Sequence, residues 1–151
     1  MDIYSVLKEE HETVKGIFEK LCDTTERAEK GRDELYERLL VELHSHAQAE
    51  QEALYTRLEV ETENELKHLM AEAEEEHAQA EKMLKELGEM DKTTIEWTAK
   101  LTVLKENVEH HIKEEEGDMF KKAKEILKEG EAEAIAETFL ALKKDIVASM
   151  K

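Results

Sequence analysis

Residues 42–55 read ELHSHAQAEQEALY, a run free of proline and glycine whose apolar positions recur at helical spacing. Leu35, Leu39, Leu43, Ala53 and Leu54 define the buried face of this helix, yet His46 and Glu50 fall inside that same face. At about 100° per residue, Glu50 lies only about 40° on from His46, whereas His44 is turned roughly 160 to 200° away, toward solvent. An unpaired carboxylate in an apolar core costs on the order of several kcal/mol. No lysine or arginine shares the stripe beside Glu50, which leaves a bound cation as its partner.

The same signature recurs along the chain. A first helix, expected from about Ile3 to Glu29, carries Leu7, Val14, Phe18 and Leu21 with His11 among them. Gly31 in EKGRDE marks a break before the second helix, which runs to about Glu59. After the polar stretch EVETEN, a third helix buries Leu66, Met70, Ala73, Ala80, Leu84 and Leu87 with His77 in the stripe, and ends near Gly88. Thr93 and Glu96 form a capping box that opens a fourth helix, whose face carries Trp97, Leu101, Leu104, Val108 and Met119 together with His111 and Glu115. A fifth, shorter helix at about 131–150 packs Ile135, Phe139, Leu142 and Ile146 and holds no histidine.

Short connections make consecutive helices antiparallel neighbours. The pattern therefore predicts an all-α, up-down-up-down four-helix bundle over about residues 3–127 with a short C-terminal helix appended, in a single domain of residues 1–151. Depth along the bundle adds an independent check. The midpoint of His11 and His46/Glu50 falls in the first connection, and that of His46/Glu50 and His77 in the second. The midpoint of His77 and His111/Glu115, near residues 94 to 96, lies past Gly88 to Lys92, so the third connection must be asymmetric or longer.

A formal charge of −17 repels nucleic-acid phosphates and anionic lipid, so neither DNA, RNA nor a membrane surface is expected as a partner. With Cys22 the only cysteine, a thiolate zinc site or an intrachain disulfide cannot form. The segment MDIYSVLKEEHE has no basic region leading into an apolar run, and a cytoplasmic location is expected. No glycine-rich phosphate loop or nucleophile elbow supports nucleotide use or acyl transfer.

Phase thus separates His11, His46, His77, His111, Glu50 and Glu115 from His44, His68 and His110, which are expected to face solvent. Four imidazoles and two carboxylates exceed the needs of one tetrahedral zinc. Imidazole with carboxylate suits iron, and a carboxylate from each of two helices can bridge adjacent ions, which favours a pair of irons. Glu81, on the shoulder of the third helix, is read as a solvated partner of Lys85 or an extra ligand, and Tyr55 as a packed bundle tyrosine or a donor near the site.

His11, His46-x-x-x-Glu50, His77 and His111-x-x-x-Glu115, carried by HAQAEQEALY, EEH and HHIKEEEGDMF, resemble the hemerythrin-like, or HHE cation-binding, family over about residues 8 to 123. The resemblance implies that the four histidines are terminal iron ligands and that Glu50 and Glu115 bridge or flank two irons. The chain departs from marine oxygen carriers, which have a second histidine where Glu81 stands and a carboxylate five residues after the fourth-helix histidine, here Glu116. A hemerythrin-like di-iron protein that binds O2 reversibly for storage, delivery or sensing is the expectation. A di-iron enzyme acting on peroxide, nitric oxide or O2 is the alternative, and a metal-free helical interaction protein the third.

Overall fold

The computed structural model describes residues 1–60 and 63–151. Glu61 and Thr62, in the middle of the stretch read as the second connection, lie outside the described residues. The helices are α1 (Ile3–Cys22), α2 (Glu29–Glu50), α3 (Thr56–Glu59), α4 (Asn64–Glu89), α5 (Ile95–Glu114), α6 (Phe120–Ile126) and α7 (Glu129–Ser149). A π-helical turn at Gln51–Tyr55 joins α2 to α3, and another at Glu115–Met119 joins α5 to α6, so each trio is one rod of the bundle. The all-helical bundle expected from the sequence is observed, with α7 laid across α1 and α2. At 21 residues α7 is no shorter than α1.

Several boundaries differ from expectation for local reasons. Helix α1 stops at Cys22 rather than near Glu29, because the Thr24 hydroxyl donates to the Leu21 carbonyl at 2.5 Å and competes with further helix. Gly31, read as the break, lies in the first turn of α2, and Gly88, read as a helix end, lies inside α4. A Cβ at Gly88 would stand 2.6 Å from the Tyr36 hydroxyl, which donates to the Leu84 carbonyl. The cap of α5 is Thr94, not Thr93: its side chain accepts from the Trp97 amide at 3.2 Å. Thr93 is instead drawn back to Asp91, whose carboxylate accepts both its amide and its hydroxyl.

Arg32 is buried at the end of the bundle where these connections meet. Its guanidinium donates to the Thr24 hydroxyl at 2.9 Å, the Lys92 carbonyl at 2.5 Å and the Thr98 hydroxyl at 3.1 Å, and it lies 4.9 Å from the Trp97 ring centroid. The fixed guanidinium donors satisfy groups from two connections and from α5, which is why a cation tolerates this position without a carboxylate.

The bundle interior divides into two apolar clusters. One gathers Leu7, Leu54, Tyr55, Leu58, Leu66, Phe120 and Phe139, the other Phe18, Leu39, Leu84, Trp97 and Leu104. Between them lies a layer of buried polar side chains.

Candidate metal centre

That layer contains all six side chains singled out by helical phase: His11 from α1, His46 and Glu50 from α2, His77 from α4, His111 from α5, and Glu115 from the π-turn that follows α5. Glu50 and Glu115 are fully buried, and the histidines are between 2 and 9 % exposed. The imidazoles stand in two pairs, His11 with His46 at 5.1 Å between ring centroids and His77 with His111 at 4.7 Å. Each carboxylate reaches both pairs. Glu50 Oε1 is 3.4 Å from His77 Nε2 and 3.9 Å from His46 Nε2; Glu115 lies 3.2 Å from His11 Nε2 through Oε1 and 3.4 Å from His111 Nε2 through Oε2.

The inward-facing atoms satisfy one another only in part: His77 Nε2 and His111 Nε2 meet at 3.2 Å, and most of the rest are left over. His11 Nε2, His46 Nε2, both oxygens of Glu50 and Oε1 of Glu115 are buried without a hydrogen-bond partner. Buried polar atoms are almost always paired, so orphaned atoms converging from different helices suit a cation that they share. Donor atoms of His11, His46, Glu50 and Glu115 lie within 4.8 Å of one another, as do those of Glu50, His77 and His111. The residues therefore fit two adjacent metal positions with Glu50 common to both.

Outward, the imidazoles are held by a closed ring of contacts. Glu10 of α1 meets His46 Nδ1 at 2.8 Å, and the Gln51 side-chain amide meets His77 Nδ1 at 3.1 Å. Glu76 of α4 meets His111 Nδ1 at 2.9 Å, and Glu116 returns to His11 Nδ1 at 2.6 Å. Each helix thus uses a residue adjacent to its own site residue to hold the histidine of the next helix. A partner on Nδ1 fixes the ring and aims Nε2 inward. Sequence reasoning missed this ring, although its signal is the neighbour rule itself: Glu10-His11, Glu50-Gln51, Glu76-His77 and Glu115-Glu116.

The π-turns follow Glu50 and begin at Glu115. In each, a backbone amide reaches five residues back, Thr56 to Gln51 and Phe120 to Glu115. Tyr55 and Phe120 each come nine residues after a site histidine, which in a regular α-helix would turn them about 180° away from it. The wider turns rotate them inward, and both are nearly fully buried. Tyr55 then donates from its hydroxyl to Glu115 Oε2 at 2.7 Å and stacks on His77 with the ring planes 2° apart. Of the two readings open for Tyr55, donor near the site and packed side chain, the structure realises both.

The remaining histidines stand apart. His68 and His110 are exposed. His44 is one-third exposed and meets Glu81 at 2.7 Å, so the partner of Glu81 is His44 rather than Lys85.

Charge is unevenly distributed within the layer. Burial and the neighbouring Glu115 push the Glu50 carboxyl well above its ordinary range. Burial acts the same way on Glu115, but the imidazoles of His11 and His111 outweigh it and hold that carboxyl low. At His111 burial opposes the charged ring, while Glu115 and Glu76 more than offset it, so that its pKa is pushed up to about 10. His77, buried and beside that charge, is pushed down to about 3. A cavity of about 40 Å³ opens on the imidazole side, lined in part by Val14, Leu43, Ala80, Leu84, Val108 and Ile112, and room of this size suits a diatomic molecule or one or two waters.

Comparisons with known proteins agree with this geometry. No curated protein matches the chain. The solved structure of a hemerythrin HHE cation binding domain-containing protein from Mycobacterium kansasii superposes with a TM-score of 0.84 at 29% identity, covering 99% of this chain and 89% of that one. The model of the hemerythrin HHE cation binding domain matches residues 2–123, a segment that includes all six residues of the buried layer. On that match, and with a fold and a buried His/Glu layer suited to it, the chain belongs to the hemerythrin HHE cation-binding family of metal-binding proteins.

Proposed function

We propose that this is a non-haem di-iron protein of the cytoplasm that binds O2 reversibly, for storage, delivery or sensing. One observation carries the reading: four imidazoles, each held at Nδ1 by a neighbouring helix, aim Nε2 at two buried carboxylates, of which both oxygens of Glu50 and Oε1 of Glu115 lack a protein hydrogen-bond partner. His11 and His46 would hold one iron, His77 and His111 the other, and Glu50 and Glu115 would span the two. Two ferrous ions bound there would supply the electrons and the open coordination that O2 binding requires.

The chain's own contribution is position and exclusion. The ring of outer contacts keeps each imidazole in one orientation, and the apolar clusters above and below keep bulk water from the layer. The cavity of about 40 Å³ beside the imidazoles has room for a diatomic molecule. Tyr55 favours a second reading, a di-iron enzyme acting on peroxide. Burial and the adjacent Glu115 keep its phenol protonated, so it stands beside the carboxylate pair as a hydrogen-bond donor for a peroxide oxygen.

Reduced, iron-loaded protein exposed to O2 in a stopped-flow cell is expected to change its visible spectrum and to recover the reduced spectrum on purging with argon. Recovery only after a reductant is added would replace the carrier with the enzyme. No spectral change with iron bound would exclude both.

Metal loading should also release protons. Metals bind the deprotonated ligand, yet in the metal-free protein His111 keeps its proton up to about pH 10 and Glu50 stays protonated above the usual carboxylate range. Affinity is therefore expected to rise with pH through neutrality. An indicator dye in weakly buffered solution at neutral pH should report acidification as ferrous ion is added, and a flat signal would show that these groups are already deprotonated.

A further inference from the structure

The ring of outer contacts has one connection to a helix beyond the four-helix bundle. Glu10, which meets His46 Nδ1 through Oε1, accepts the Lys143 ammonium on Oε2 at 2.6 Å, and the same ammonium donates to Glu42 Oε2 at 2.9 Å. Lys143 belongs to α7, which lies wholly outside residues 2–123 matched by the family. One turn earlier on α7, Phe139 sets its ring edge-on to His46 with centroids 5.8 Å apart.

Exposure explains why this site alone needs a cation. The Glu10 side chain is 12% exposed, whereas those of Glu116 and Glu76 are 27% and 28% exposed and pair with no lysine or arginine among the described residues. Solvent screens those two carboxylates. Glu10 has little water, and Glu42 converges on it from α2. Without Lys143 the two carboxylates would confront each other partly desolvated, and Glu10 would be better solvated turned outward, away from His46.

We propose that Lys143 of α7 is the positioning residue for His46: it holds Glu10 against Nδ1, so that the C-terminal helix completes the metal position formed by His11 and His46. The proposal rests on the two-position reading above. On it, Lys143→Met frees Glu10, loosens His46 and weakens one metal position while leaving the position of His77 and His111 intact. Loss of an outer-shell partner of this kind typically weakens metal binding by about 10- to 100-fold.

The test is a double-substitution cycle read by transfer of ferrous ion to a chromogenic chelator under anaerobic conditions. Lys143→Met is expected to release one of two irons about 10- to 100-fold faster than the unsubstituted chain. In a Glu10→Gln background the same substitution is expected to add little, because the carboxylate it restrains is gone. Unchanged release, or equal acceleration in both backgrounds as a purely structural role of α7 would give, overturns the proposal. A second arm needs no metal: in metal-free protein with 15N-labelled histidine, Lys143→Met should shift the ring resonances of His46 and leave those of His77 and His111 in place. Unmoved His46 resonances would overturn it, whereas an unsubstituted chain that fails to hold two irons would overturn only the functional reading.

Discussion

His46→Ala and His111→Ala are expected to lose iron by at least about 100-fold in affinity, more than the loss of an outer partner causes, whereas His44→Ala and His68→Ala should retain the full complement. His46 and His111 are buried and belong to opposite imidazole pairs, so each removal takes a donor from a different metal position. His68 is exposed, and the Nδ1 of His44 is engaged with Glu81 outside the buried layer. Iron retained after gel filtration, measured by elemental analysis, separates the two classes. Comparable loss from the His44 and His46 variants would show that a different set of side chains holds the metal.

An effect of opposite sign is expected at Glu50. Both of its oxygens are buried without partners, so the metal-free fold carries their desolvation with little return. Glu50→Met fills similar volume without polar atoms and is expected to stabilise the metal-free protein by about 2 kcal/mol in denaturant unfolding, while abolishing stabilisation by added iron. The pH dependence follows from the raised carboxyl. Unfolded Glu50 ionises above its ordinary value of 4.5 while the folded side chain retains its proton, so rising pH favours unfolding. The advantage of Glu50→Met should therefore shrink as pH falls toward 4.5 and grow above it. A destabilised metal-free variant would mean that Glu50 has a protein partner in solution.

Helical phase carried the sequence reading a long way, because a buried ionisable side chain in an apolar stripe is a strong departure from pattern. It brought His11, His46, Glu50, His77, His111 and Glu115 to one layer, and the structure places them together there. Phase failed where helical geometry itself changes. A regular helix would turn Tyr55 and Phe120 about 180° from His46 and His111, and the π-turns after Glu50 and at Glu115, which no spacing in the sequence announces, bring them in. The third connection, expected over Gly88 to Lys92, is Met90 to Thr94: it has the same length but lies two residues nearer the midpoint of His77 and His111/Glu115, because α4 continues through Gly88 and α5 is capped at Thr94.

Contacts between helices were less legible. Arg32 looks like a surface residue at the start of a helix, since two of its acceptors, the Lys92 carbonyl and the Thr98 hydroxyl, lie 60 and 66 residues away and no local pattern announces them. Lys143 likewise sits on the polar flank of α7 and finds Glu10 only through docking of that helix. The outer ring was hidden for the same reason: in a chain with 39 acidic residues, a glutamate beside a histidine carries little information until the neighbouring helix is known.

The central claim is that one chain holds two irons between two pairs of imidazoles. Protein loaded with ferrous iron under anaerobic conditions, freed of excess metal and assayed for iron and protein on the same sample, tests it most directly. Two irons per chain, with antiferromagnetic coupling after oxidation, is the predicted result. A reproducible value near one iron per chain, without such coupling, would contradict it.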